Sequence, residues 1–267
     1  MLNLLRADFY KLLRRKSFYI CGILGIIVSC LAIFLENMEI IYNLQNIGMS
    51  FDSLPAMYRV YYTGVSAFTR TIANGGIFIT IMVSMFVSSE FSFGTIKNII
   101  SSGKSRLKVY SSKLVMTLII TTIYTLLCGL AGFITGSILW GTGEITRTEY
   151  LEIFRIIGLI IAVEFSVQSV FTMIGFVLRS TGAVITVNLI IETVLAGVLP
   201  LLNVLINKIF NLQDFNIMKY WPDTYLAVFN QFEIPTEQLT QGLIVCAVAF
   251  AVSTIIGMFT FQKRDIK

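Results

Sequence analysis

Six apolar windows dominate this chain: roughly residues 17–35, 71–89, 114–140, 154–178, 183–206 and 240–261. Each approaches or exceeds the ~20 residues a helix needs to cross ~30 Å of hydrocarbon at ~1.5 Å per residue. In lipid, a lone extended segment would leave its peptide groups without partners, so every window is expected to be a helix. Composition agrees. Only 13% of the 267 residues are charged and 56% are hydrophobic, against ~25% charged in a typical soluble domain. The expected fold is all-α and integral to the membrane, with residues 1–267 forming one transmembrane domain.

The distribution of Lys and Arg predicts orientation. With six spans and the N-terminus in the cytoplasm, the inward segments hold fourteen of the 20 basic residues, including Arg14, Arg15, Lys16, Lys97, Lys104, Arg106, Lys108 and Lys113. The positive-inside bias then places both termini in the cytoplasm. Acidic residues lean outward, and Trp140 and Tyr220-Trp221 fall where an outer aromatic belt would lie. No small-residue cleavage site closes the first apolar run, so that run is expected to stay in the mature chain. The Ile-, Asn- and Lys-rich composition suggests a low-GC bacterium, hence a multi-pass protein of the bacterial cytoplasmic membrane.

Residues 1–16 are a separate element. Leu2, Leu5, Phe9, Leu12 and Leu13 share one helical face, while Asn3, Lys11, Arg14 and Arg15 share the other. This is the pattern of an interfacial helix with its basic side toward anionic membrane lipid.

Several chemistries are excluded. The chain has no histidine, the commonest general base and metal ligand. Its four cysteines sit in apolar runs without metal-ligand spacing. A membrane-embedded enzyme would need a nucleophile, base or metal cluster at one depth, and none is visible. No catalytic residue, metal or nucleic-acid partner is expected.

The stretch 90–113, EFSFGTIKNIISSGKSRLKVYSSK, is the longest predicted inward segment between spans. It contains Gly103-Lys104-Ser105, the end of a phosphate-binding loop. Asn98 occupies the position of that loop's first glycine, and no buried strand precedes it, so a nucleotide site is not expected here. Ile96, Ile99 and Ile100 have helical spacing. Gly103 is suited to a left-handed stop and Ser105 to capping the next helix. A short structured helix between spans two and three, held against the membrane face, is therefore predicted.

Here the chain resembles the type-2 ATP-binding-cassette exporter permeases. The resemblance is carried by Glu90-Phe91-Ser92-Phe93-Gly94-Thr95-Ile96-Lys97, Ser101-Ser102-Gly103-Lys104-Ser105-Arg106 and Lys113-Leu114. It extends to the elbow helix, the six spans and the long last outer segment. Gly103-Lys104 stands where many members have proline. The resemblance implies a small six-helix permease similar to antimicrobial-peptide, lantibiotic or bacitracin immunity exporters. Two copies, identical or related, would assemble with two separate ATPase subunits, and ATP and Mg would be bound only by those partners. It further implies that 90–113 is the coupling loop, with Glu90, Phe93, Gly94, Thr95, Ile96, Lys97, Ile99, Ile100 and Arg106 at the ATPase contact. The cargo would be amphipathic, such as an antimicrobial peptide or lipid-like compound.

Two carboxyls lie inside windows, Glu164 with Gln168 one turn later and Glu192 with Asn188 one turn earlier. Without a basic residue at matching depth, they read either as protonated hydrogen-bonded ties within the bundle or as a polar substrate pathway. Gly132 and Gly136 permit close helix approach, and Pro200 should bend or end span five. The outer segment 207–239 is too apolar for an ordinary loop. It is expected to form interfacial or re-entrant helices broken at Trp221-Pro222-Asp223, for which the resemblance implies an outer gate with Phe215, Tyr220, Trp221 and Pro222, or else a packed cap. Two further readings are an ion-coupled carrier using Glu164 and Glu192, and a non-transporting membrane scaffold.

Overall fold

A computed structural model describes residues 2–53, 61–73, 76–143, 147–210, 216–231 and 233–263. Among these residues the regular structure is helical throughout. Helix α1 spans Leu2–Leu13 and α2 Lys16–Asn46; α3 is Gly64–Ala73, α4 Gly76–Ser92 and α5 the short Thr95–Ser101. Then come α6 (Arg106–Trp140), α7 (Arg147–Leu178), α8 (Thr181–Phe210), α9 (Leu226–Phe229) and α10 (Thr236–Lys263).

Four helices, α2, α6, α7 and α10, are long and apolar enough to cross a membrane. Two bent pairs raise the count to six if each is one span. The chain is thus an all-α protein with several candidate membrane-spanning helices. The expected windows are corrected in two places. The second, 71–89, does not coincide with one helix: α3 and α4 meet at a 43° bend, where the sequence reads Asn74-Gly75-Gly76. Glycine weakens the helix there at the cost of backbone entropy. Helix α2, which holds the first window, runs on to Asn46, well past residue 35.

The fifth window bends by 53° between Thr181–Leu195 and Gly197–Phe210. Pro200 has no N–H to give the carbonyl four residues back, and its ring crowds that turn. The helix continues beyond it to Phe210.

Close helix approach is built on glycine. α3 lies along α6 so tightly that a Cβ on Gly132 would fall 2.1 Å from Thr71 Oγ1, and one on Gly136 2.4 Å from Ala67 Cβ. Gly129 meets Ile72 and Phe68 in the same way. The buried core of one end joins Leu12, Phe86, Ile96, Tyr110, Leu114, Phe176 and Phe261. That of the other joins Val163, Phe171, Tyr225, Phe229 and Cys246. The outward faces of α2 and α10 remain apolar and exposed, as helices surrounded by lipid require.

Candidate functional site

The stretch 90–113 folds as the local signals dictate. Gly94 (φ 68°) caps the start of α5 and Gly103 (φ 80°) ends the turn after it, both in the left-handed region that glycine tolerates. Ser105 caps α6, its side chain accepting from the Lys108 amide.

The residues expected at a coupling contact divide into two groups. Phe93 is 77% exposed, and Gly94, Thr95 and Lys97 are exposed with it. Ile96 is buried in the core beneath, with Ile99 and Ile100 partly buried against that core. Arg106 donates to the Phe261 and Gln262 carbonyls at 3.2 and 2.8 Å, tying the start of α6 to the end of α10. Phe91, Phe176 and Phe261 form an aromatic floor with ring centroids 4.8–6.1 Å apart. α5 therefore sits on a packed base and presents one face outward.

Glu90 does not belong to that outward face. It is 2% exposed and turned inward. Its Oε1 accepts from Lys11 Nζ at 2.8 Å and lies 3.0 Å from Lys113 Nζ. Lys113 also reaches Asp8 Oδ1 at 2.9 Å, and Ser112 Oγ donates to Asp8 Oδ2 at 2.9 Å. The Lys113 ammonium lies 4.3 Å from the centre of the Phe86 ring. Beside this cluster Arg15 donates to Ser89 Oγ at 2.6 Å and to the Met85 carbonyl at 3.2 Å. Buried charges are tolerable only when paired and hydrogen-bonded. Here the pairing fastens α1 to both α4 and α6.

The expected amphipathicity of α1 is refined in the same place. Leu5, Asp8 and Leu12 form the stripe that meets the protein, whereas Leu2, Phe9 and Leu13 stay exposed. Lys11, expected on the lipid-facing basic side, instead pairs with Glu90.

Deeper in the bundle, three helices each supply two polar residues one turn apart: Thr80 and Ser84 from α4, Glu164 and Gln168 from α7, Asn188 and Glu192 from α8. Gln168 Nε2 lies 3.3 Å from Thr80 Oγ1 and 3.5 Å from Glu164 Oε2. Asn188 Nδ2 donates to Ser84 Oγ at 2.8 Å. A Cβ added to Gly76 would fall 2.3 Å from Glu192 Oε1, so that carboxyl rests on the first residue of α4. An acid at a helix N-terminus meets the positive end of the macrodipole. The structure thus brings all four expected pathway residues into one seam. Gln168 Oε1, Asn188 Oδ1 and Glu192 Oε2 are buried there without a hydrogen-bond donor among the described residues.

Of the two readings of segment 207–239, the described residues fit the packed cap. Re-entrant helices are not formed by its described residues. Ile217–Tyr220 and Pro222–Tyr225 are single 3-10 turns, and α9 has four residues. Four residues are too short to dip into a leaflet. They pack instead as a cap, with Tyr225 and Phe229 closing over Gly242. Of the expected gate residues, Phe215 lies outside the described residues, Tyr220 is 66% exposed, Trp221 is half-buried and Pro222 is buried. Asp223, in the cap, is half-buried, and burial raises its carboxyl above the ordinary aspartate range.

Asp8, Lys113 and Arg15 were not among the expected site residues. One signal for Asp8 existed: it is the single acid among residues 1–16 and shares the helical face of Leu5 and Leu12.

Residues 23–267 match the model of a family described as a protein of unknown function (DUF2705). No curated protein matches the chain.

Proposed function

The chain belongs to the DUF2705 family, and we propose that it is the membrane subunit of an ATP-driven exporter, powered by a separate ATPase that docks on α5. The observation that carries this reading is the construction of the island 90–113. A seven-residue helix between two candidate spans rests on a buried floor, with Lys97 on it and Phe93 just before it exposed. Just before it, Glu90 ties the end of α4 to α1 and α6 through Lys11 and Lys113. A docked protein pushing on that face would move both spans, because rigid packing transmits displacement rather than absorbing it. The resemblance noted above supplies the identity of such a partner. It also supplies the paired assembly, the outward direction and the amphipathic cargo. In this reading the island faces the cytoplasm of a bacterium, Phe93, Gly94, Thr95 and Lys97 touch the ATPase, and Glu90 positions the loop from below.

The seam of Glu164, Gln168, Asn188 and Glu192 is the proposed cargo pathway. Glu164→Gln and Glu192→Gln should reduce export while leaving assembly intact. Wild-type export in both variants would remove the seam from the pathway.

A second reading, an ion-coupled carrier, is favoured by the same seam: its unpaired acceptors suit a cation or proton. The discriminating experiment is transport in proteoliposomes. The exporter reading expects dependence on the ATPase and ATP, and the carrier reading expects transport on an ion gradient alone.

A further inference from the structure

The polar seam extends beyond the four residues proposed as a pathway. Thr117 Oγ1 and Thr172 Oγ1 meet at 3.4 Å between α6 and α7, and Tyr124 lies near the Glu164 carboxyl further along the same pair. The two helices therefore run in opposite directions. One turn on from the first contact Thr121 comes level with Gln168, and a turn later Thr125 comes level with Glu164. α4 joins at the same depth: Thr80 lies 3.3 Å from Gln168 Nε2 and hydrogen-bonds the Glu192 carboxyl. Six oxygen-bearing side chains from four helices thus gather at one level of the bundle.

This level is dry and lacks positive charge. Thr80, Thr121 and Gln168 are fully buried, and Thr125 and Glu164 nearly so. Residues 76–92, 114–140, 156–178 and 181–207 contain no Lys or Arg, so these helices bring no cation of their own to it. Yet Thr121 Oγ1, Thr125 Oγ1, Gln168 Oε1 and Glu192 Oε2 are buried without a hydrogen-bond partner among the described residues. The orientation of Gln168 is set by its neighbour, since Nε2 lies 3.5 Å from Glu164 Oε2 and leaves Oε1 as the free end. Buried polar atoms are almost always partnered, and stranding one forfeits its solvation. Hydroxyls that only tie helices together would bond each other, as Ser169 and Ser253 do at 2.7 Å.

The backbone marks the same place. Glu192 stands one turn before the 53° bend of α8, and its Oε1 rests on Gly76, just after the 43° bend between α3 and α4. Ser84 meets Asn188 while Gly76 meets Glu192, so the two bent segments are antiparallel. Irregular backbone at membrane depth persists where protein encloses it or where it lines a polar site. Paired, interrupted helices are a recurring setting for small-cation sites.

We infer that the seam binds a dehydrated alkali cation through Glu192 Oε2, Gln168 Oε1 and the hydroxyls of Thr121 and Thr125. These are hard oxygen donors, which suit such ions and not soft metals. One carboxylate oxygen among three neutral ones matches a single positive charge. The inference names a ligand for the seam and rests on the reading of that seam as a pathway. It does not depend on whether ATP or an ion gradient drives transport.

The test uses the full chain purified in detergent at fixed pH, titrated with NaCl, KCl or choline chloride and followed by thermal melting. A cation that binds only the folded chain raises its melting temperature with concentration. The expected result is such a rise with NaCl or KCl over choline chloride. Two variants keep the shape of the site. Glu192→Gln removes its charge, and Thr121→Val exchanges a partnerless hydroxyl for a methyl group. Both should melt at or above the wild-type temperature in choline chloride. Each should raise the cation concentration needed for a given shift about tenfold or more, as loss of groups around a bound metal typically does. Equal melting in all three salts, or an undiminished response in both variants, would overturn the inference. Wild-type export by Glu192→Gln with its cation response lost would keep the cation site and remove the pathway. Lost export with an undiminished response in that variant would keep the pathway and overturn the cation site.

Discussion

Lys113 and Asp8, 105 residues apart in the chain, form a 2.9 Å ion pair whose two side chains are 3% and 5% exposed. Lys113 simultaneously engages Glu90, so one ammonium neutralises carboxylates from two other helices. Removing one member of a buried pair strands the other, at a typical cost of ~3–5 kcal/mol. Lys113→Gln, which strands Asp8 and leaves Glu90 only the partly exposed Lys11, should therefore destabilise more than Asp8→Asn, which leaves Lys113 paired with Glu90. Lys11, 42% exposed at its side chain, pairs in a wetter setting, and Lys11→Gln should cost no more than ~1 kcal/mol. Thermal melts of the three purified variants test this order. Equal, small effects would show that the cluster does not brace the fold.

The glycines of α6 make a contrasting prediction. Gly132→Val puts side-chain atoms into space already occupied by Thr71. Overpacking of this kind typically costs ~1–3 kcal/mol, and more when backbones must separate. Gly158 in α7 has nothing within 4 Å of an added Cβ. Gly158→Ala should be neutral, or stabilising by up to ~1 kcal/mol from helix propensity. Expression yield and melting temperature of the two variants check the difference.

Asp223 supplies a pH dependence. Burial raises its folded-state pKa above the unfolded value, so the folded protein binds this proton more tightly. Its contribution is fully present below the ordinary aspartate pKa of ~3.9 and is lost as pH rises through the higher folded value. The melting-temperature difference between Asp223→Asn and wild type should therefore shift in favour of the variant as pH rises across that window. A difference that stays constant with pH would show that Asp223 titrates as if exposed.

Much of this architecture is legible in the sequence because local chemistry governs it. Apolar length marks most of the long helices, Gly103 and Ser105 punctuate the island, Pro200 bends α8, and Gly132 and Gly136 mark a close approach. What escaped is non-local. No periodicity reveals that Lys113 seeks Asp8, and residue counts treat Lys11 and Lys113 as solvent-side charge when both are paired across helices. Arg70 and Glu36 illustrate the same blindness, since they form an ion pair 34 positions apart. The break in the second window was hidden because Asn74-Gly75-Gly76 lies next to an apolar run and leaves mean hydropathy high. Segment 207–239 left two readings open because its aromatic content fits a membrane-dipping helix and a packed cap equally well. The seam is an intermediate case: the one-turn spacing on each helix was readable, but the meeting of α4, α7 and α8 required the fold.

The central claim is that energy enters through α5 from another polypeptide. It is tested most directly by measuring ATP hydrolysis by the purified chain alone, by the chain with the ATPase that copurifies with it, and by the same complex carrying Phe93→Ala. Phe93 is exposed, so its truncation should leave the melting temperature unchanged. The account predicts no hydrolysis by the chain alone, hydrolysis by the complex, and a fall of about tenfold on truncating an exposed aromatic anchor at the contact. Hydrolysis by the isolated chain, or a complex indifferent to Phe93→Ala and Lys97→Glu together, would contradict it.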